Sequence, residues 1–338
     1  FQAEDGIRDA QESRGLGDVY KRQTQDSKLI LNQKTLSDLF AWQGDFDRAF
    51  SCLQRVMEFY EEQKDNYGVA RTYQFMQTLF ATLGDWKSMF AAQAKGLETL
   101  PSRYRNSSLY AELISGWAPA QAFAGRYAEV EKKVREALSI HQQHGETDFE
   151  GNLRDLGLIL SFQGKYQEAD EYISKCMELE KPWAITPLAG TTTQRLRAVV
   201  LLKEGRPDAS KAILAEILPI LEQANYFWSV GEVEAWFGLA CEQTNEWMEA
   251  IHHYRRSLEF PRRRYFECAA LTGLTRVKHA QGDYAAIPPL LAEAEELAQQ
   301  YEYNDHLASL RLTQGHIAWE GVGQVSNLSY GFDAALRY

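Results

Sequence analysis

A short punctuation recurs along the chain at a nearly constant interval. Gly44-Asp45-Phe46-Asp47-Arg48-Ala49 returns as Gly84-Asp85-Trp86, Gly125-Arg126-Tyr127 and Gly164-Lys165-Tyr166-Gln167-Glu168-Ala169. It returns again as Gly205-Arg206-Pro207, Asn245-Glu246-Trp247-Met248-Glu249-Ala250 and Gly282-Asp283-Tyr284. The steps are 40, 41, 39, 41, 40 and 37 residues. A fixed period of this size specifies small units stacked side by side, because one unit cannot bury its apolar face alone.

Each unit reads as two helices. In the fourth, Leu153, Leu156 and Leu160 precede Gly164, and Tyr166, Ala169, Ile173 and Cys176 follow it. In the sixth, Phe237 and Cys241 precede Asn245, while Trp247, Ala250, Ile251, Tyr254 and Leu258 follow. These spacings lay one apolar stripe along a helix and do not alternate as a strand does. Gly or Asn at the break suits the left-handed conformation that ends a helix cheaply. The acidic residue beside it suits the start of the next helix. The aromatic two positions past the break is expected to fill the crevice between the paired helices. The small residue three further on, kept as Ala49, Ala169 and Ala250, lets their backbones approach; Met89, Val130, Ser210 and Ile287 depart from it.

This pattern resembles the tetratricopeptide repeat (TPR) family. Leu156-Gly157 and Phe237-Gly238 match its first-helix element, and most other units do not. The family consensus is about 34 residues, so each unit carries an excess, expected in longer helices or in turns such as Gln63–Gly68. The expected fold is all-α: an α-solenoid, a right-handed superhelix of about seven to eight hairpins spanning residues 24–338, each unit leaning on its neighbours. Links at Leu100–Asn106, Lys181–Thr192 and Pro261–Arg264 interrupt the array without shifting its phase.

The two ends stand apart. Residues 1–23 lack helical periodicity, and FQAEDGIRD with SRGLGDVYKRQ resembles translated sequencing-adapter DNA, so this leader is set aside as non-native. Gly331–Tyr338 looks like a helix stopped after two turns, which is expected to cut the last repeat.

Composition narrows the function. With 36 basic and 47 acidic side chains the net charge is -11, unlike the basic footprint of a nucleic-acid coat. The longest apolar run, Ala198–Leu202, falls far short of the about 20 residues of a membrane span. Cys52, Cys176, Cys241 and Cys268 form no CxxC pair, which suits a reduced, cytoplasmic chain. No GxxxxGK[ST], HExxH or GxSxG motif occurs, so neither a cofactor nor a catalytic residue is expected. His141 and His144 lack further ligands for a metal site. The basic cluster Arg255, Arg256, Arg262, Arg263 and Arg264 is either a solvated helix end or a docking patch for an acidic partner.

The resemblance carries a groove with it. In this family the first helix of each hairpin lines the concave side, and positions 13, 10, 6, 3 and 2 before the turn face a bound peptide. Carried over, these are Arg71, Gln74 and Thr78; Arg154; Thr192, Arg195 and Lys203; and Arg276 and His279. Glu112, Glu232 and Glu242 occupy equivalent positions in units three and six. Five cations against three anions suggest an inner wall suited to an acidic peptide or a carboxylate terminus. The expected function is a non-catalytic protein- or peptide-binding module, with no direct contact to nucleic acid or membrane. It is read as the sensor or scaffold arm of a larger bacterial signalling protein, similar to the arms of signal-transduction nucleotidases (STAND ATPases). The alternative is a self-contained adaptor or peptide-sensing regulator. Ala250→Arg or Ala169→Arg should wreck a hairpin by overpacking and by burying an unpaired charge, at several kcal/mol; unchanged thermal unfolding would contradict the helix pairs.

Overall fold

The computed structural model describes residues 30, 32–41, 43–116, 118–123, 126–144, 149–180, 188–260 and 263–319. The leader 1–23 and the segment Gly331–Tyr338 lie outside them, as do Trp183 and the side chains of Trp228 and Trp319. Helical residues 32–41 lead into α1 (Phe46–Glu62), α2 (Asn66–Leu83), α3 (Trp86–Thr99), α4 (Ser108–Ser115), α5 (Ala118–Phe123) and α6 (Tyr127–Gln143). Then come α7 (Glu150–Phe162), α8 (Tyr166–Glu180), α9 (Thr191–Lys203), α10 (Pro207–Gln223) and α11 (Phe227–Gln243). The array ends with α12 (Trp247–Glu259), α13 (Arg264–Ala280), α14 (Ile287–Gln300) and α15 (Asn304–Trp319). Among the described residues there is no strand, and no helix is long and apolar enough to cross a membrane.

Every described break lies between the two helices of a unit. Gly44, Gly84, Gly164, Gly205 and Gly282 take φ of 80°, 88°, 75°, 82° and 73°, and Asn245 takes 60°. Asp45 and Asp85 cap the helices that follow, accepting from the amides of Arg48 and Ser88. The fifth residue after each break is buried whatever its type: Ala49, Met89, Val130, Ala169, Ser210, Ala250 and Ile287. The repeats are therefore degenerate in residue size and strict in burial. The aromatics two past the break are less uniform. Phe46 and Trp86 are buried, whereas Tyr127, Tyr166, Trp247 and Tyr284 are half-buried. Between units one and two the extra length lies in the helices, since the link between α1 and α2 is only Gln63–Asp65 and Asn66 already opens α2.

Unit three departs from the pattern. Pro119 has no amide hydrogen for the Ser115 carbonyl, and the first helix breaks into α4 and α5. Gln77 and Gln93 of unit two donate to the Leu113 carbonyl near the break, at 3.4 and 2.7 Å.

First helices form an inner layer. α2 packs on α4, α7 on α9, α9 on α11, α11 on α13 and α13 on α15, while second helices make no comparable contact with one another. α9 packs on both α7 and α8, so the array runs on across the Lys181–Thr192 link.

Units do not touch only their neighbours. The Tyr303 hydroxyl, between α14 and α15, donates to the Gly84 carbonyl at 2.6 Å, and Arg263 Nε donates to the Thr82 carbonyl at 3.0 Å. Trp86 stacks on Tyr265 at 5.1 Å and meets Tyr303 edge-on at 4.7 Å. The superhelix has thus curled until unit two meets units seven and eight, and one apolar core runs from Trp86 to Leu310. Gly84 permits the approach. A Cβ there would lie 2.6 Å from the Tyr303 hydroxyl and 2.9 Å from the Tyr265 nitrogen. Tyr303→Phe removes one of the two donors to the buried Gly84 carbonyl, leaving the Trp86 amide at 3.0 Å, and should cost about 0.5–1.5 kcal/mol. A melt monitored by circular dichroism checks this, and an unchanged midpoint would remove the closure from the stability of the fold.

Candidate functional site

The inner wall is lined by charges that neutralise one another. Residues at corresponding positions of successive first helices come side by side, so partners lie about one unit apart in sequence. Arg71 pairs with Glu112 at 2.7 Å, Arg195 with Glu232 at 3.1 Å, and Arg276 grips Glu242 through two nitrogens at 2.6 and 2.8 Å. Arg154 pairs within its own hairpin, with Glu180 at 2.7 Å. Glu232 is shared, because Arg263 also bonds it while reaching Thr82 across the closure.

Two chambers remain inside this wall. The smaller, about 290 Å³, is lined by Thr78, Trp86, Met89, Arg154, Asp155, Thr192, Arg195, Glu232 and Arg263. The larger, about 560 Å³, is lined by Phe162, Lys203, Trp236, Glu242, Arg276, Asp305 and His306. Phe123, Tyr265 and Phe266 line both and form an aromatic partition, with Phe123 stacked on Tyr265 at 4.4 Å.

Polar groups without partners gather in the chambers. Asp155 makes no hydrogen bond or ion pair with a described residue. Burial pushes its carboxyl up to about 7, against the pull of Arg154. Lys203 Nζ lies 4.5 Å from the centre of the Phe162 ring, and among the described residues it makes no ion pair. Burial lowers its pKa, with Asp305 acting the other way. Tyr265 donates to Asp305 Oδ2 at 2.5 Å, which leaves Asp305 Oδ1 buried without a partner. His306 Nε2 and Trp236 Nε1 are likewise buried and unbonded. Burial also draws the His306 imidazole below its usual pKa.

The tetratricopeptide repeat family model matches residues 155–182, from α7 through the Gly164 turn and α8. The array is a solenoid of TPR-like helical hairpins, one of which carries the family's sequence pattern. Solved TPR-like structures share its architecture along most of its length. A Rap protein complexed with Competence and Sporulation Factor matches over 91% of this chain and 86% of its own, with a TM-score of 0.67 and 12% identity. NprR in complex with its cognate peptide NprX matches over 90% and 87%, with a TM-score of 0.61 and 12% identity. Yeast Tom70 matches over 86% of this chain and 63% of its own, with a TM-score of 0.51 and 12% identity. These likenesses are of fold. No curated protein matches the sequence.

The repeat frame organises the residues carried over from the sequence. Thr78, Arg154, Thr192 and Arg195 meet at the smaller chamber, and Lys203 and Arg276 at the larger. Arg71, Gln74 and His279 line neither. Arg71 is held by Glu112, Gln74 bonds Thr78 at 3.4 Å, and His279 lies beside Tyr284 near the end of α13. Counting five cations against three anions misreads the wall, because Glu112, Glu232 and Glu242 are the partners of Arg71, Arg195 and Arg276. The basic cluster is not one patch either. Arg255 is exposed, Arg256 binds Glu222 and Glu234, Arg264 binds Glu267, and Arg263 turns into the interior; Arg262 lies outside the described residues. His144 bonds the Asn106 carbonyl at 2.5 Å.

Sequence reasoning misses Asp155, Trp236, Asp305 and His306. Asp155 is one residue beyond the counted position of Arg154. Asp305 and His306 belong to an eighth unit that offers no later break from which to count.

The Asp155 carboxyl yields a pH signature. It ionises near 7 in the fold and near about 3.9 when unfolded. Between these values the folded state holds a proton that the unfolded chain has lost, so stability falls as pH rises through the window. Asp155→Asn should therefore melt above the wild type at pH 8, with the difference shrinking toward pH 4. A difference that does not change with pH would mean that Asp155 does not titrate in this range.

Proposed function

We propose that this chain is a non-catalytic, peptide-binding regulator that holds an extended peptide inside its superhelix. The closed inner wall carries the reading. First helices of successive repeats enclose two adjoining chambers of about 290 and 560 Å³, with room for the side chains of a few residues, and the larger lies well within the span of ligand pockets. NprR, named a quorum sensor and solved with its cognate peptide, supports it through the same fold. The mixture of apolar walls and a few polar groups suits a peptide better than a compact charged metabolite. With the arginines already paired, the acidity of the ligand narrows to a single carboxylate.

A cytoplasmic, self-contained peptide-sensing regulator is the favoured context. The four buried thiols suit a reducing compartment, and this chain and NprR cover 90% and 87% of one another. The arm of a larger signal-transduction ATPase is the second context, and a nucleotide-binding motif in the adjoining reading frame would favour it.

Selection from a library of short random peptides on the immobilised protein tests the function. Peptides recovered on the wild type should bind Thr192→Phe, whose ring fills the smaller chamber, about tenfold or more weakly, with helicity unchanged. A wild type that retains no peptide, or a variant that binds as well, would overturn the reading.

A further inference from the structure

Two carboxylates of the larger chamber, Glu242 and Asp305, are already bonded by phenols. Tyr254 donates to Glu242 at 2.6 Å and Tyr265 donates to Asp305 at 2.5 Å. They differ in what remains. Arg276 also takes both oxygens of Glu242, whereas Asp305 Oδ1 stays buried with no partner among the described residues. Trp236, only 9% exposed, leaves its indole N–H unbonded at the same chamber. One acceptor and one donor are thus left over, and a buried polar atom without a partner is costly.

The charges around them are balanced. Arg276 is neutralised by Glu242, and Lys203, which is exposed, has Asp305 as a nearby anion. Burial holds the His306 imidazole neutral. A ligand cation would meet Lys203 and Arg276, and a ligand anion would meet Asp305 and Glu242. An uncharged group meets neither penalty. Phe162, Tyr265 and Phe266 line the chamber beside Trp236, and their rings favour an aromatic body. A hydroxyl on such a body donates through its hydrogen and accepts on its oxygen, so one group answers both unpaired atoms.

We infer that the larger chamber is a phenol pocket that takes a tyrosine side chain of the bound peptide, with Asp305 accepting from its hydroxyl and the Trp236 indole donating to it. The source of the ring rests on the peptide-binding reading, while the pocket itself can be tested with single residues. Phenylalanine leaves both protein groups unpaired, the setting in which a site strongly rejects an analogue lacking one hydroxyl. Tryptophan offers a donor to Asp305 and no acceptor to Trp236.

The probes are N-acetyltyrosinamide, N-acetylphenylalaninamide and N-acetyltryptophanamide, with p-cresol as the isolated ring. Titration of the full chain is followed by calorimetry and by the indole N–H signals of protein labelled with ¹⁵N-tryptophan, assigned with Trp236→Phe. The tyrosine amide should bind at least about tenfold tighter than either other amide and shift the Trp236 signal. Asp305→Ala should erase that preference, Trp236→Phe should cut it about threefold or more, and Tyr265→Phe, which leaves the acceptor in place, should keep it. Circular dichroism verifies the helicity of each variant. No binding of the tyrosine amide at millimolar concentration, equal binding of the phenylalanine amide, or a preference that survives Asp305→Ala would each overturn the pocket. Should Asp305→Ala fail to fold, an undiminished preference in Trp236→Phe overturns it instead. Equal binding of the tryptophan amide would overturn the assignment to a phenol, and binding of p-cresol without the tyrosine amide would overturn the assignment to a peptide residue. If the tyrosine amide binds as expected while the peptide library yields nothing, the pocket stands and the peptide reading falls.

Discussion

Where the Tyr303 hydroxyl meets the Gly84 carbonyl, two stretches of chain 219 residues apart become parts of one wall. The contact requires a bare backbone at Gly84, because any side chain there would strike Tyr303 and the start of α13. Trp86, Phe123 and Tyr265 then stack into the space beside it. Without this seam the first helices would face an open trough. With it, the same surface becomes two half-open chambers parted by aromatic rings. The raised Asp155 and lowered His306 titrations follow from this setting, since burial is the largest cause in each.

Charge pairing along the inner layer settles how neighbouring repeats align. Arg195 with Glu232 and Arg276 with Glu242 each join first helices of adjacent units. Buried pairs of this kind add little net stability, because desolvation offsets most of the attraction, but a slipped helix would strand a charge. The pairs therefore favour one register. They also remove most of the wall's charge from the reach of a ligand, so that recognition falls to a small set of groups left over.

Much of this architecture is legible in the residues. The breaks, the buried fifth position and the helix pairs follow from local rules of helix ending and apolar spacing. Counting back from each break also names many chamber-lining positions, among them Leu158, Thr192, Leu239 and Glu242. Pairing is not legible, because whether Glu232 compensates Arg195 or faces a ligand depends on the lateral offset between helices, which the repeat period leaves open. The closure is hidden for a similar reason. Curvature accumulates from small rotations between units, and no single residue encodes the sum. Tyr303 and Arg263 reveal their role only when the turn of the superhelix is complete.

The seam also bears on how the molecule comes apart. An open stack of repeats can peel from either end, one unit at a time, because each interface is local. Here the core that includes Trp86 continues through Tyr265 and Leu310, while the first hairpin is joined to α2 only through a separate small cluster of Phe46, Ala49, Leu53 and Leu79. The first hairpin is thus free to fray as a linear array does. The rest is closed like a hoop, so opening it anywhere means parting the seam or breaking the band, and its units are tied into one cooperative transition.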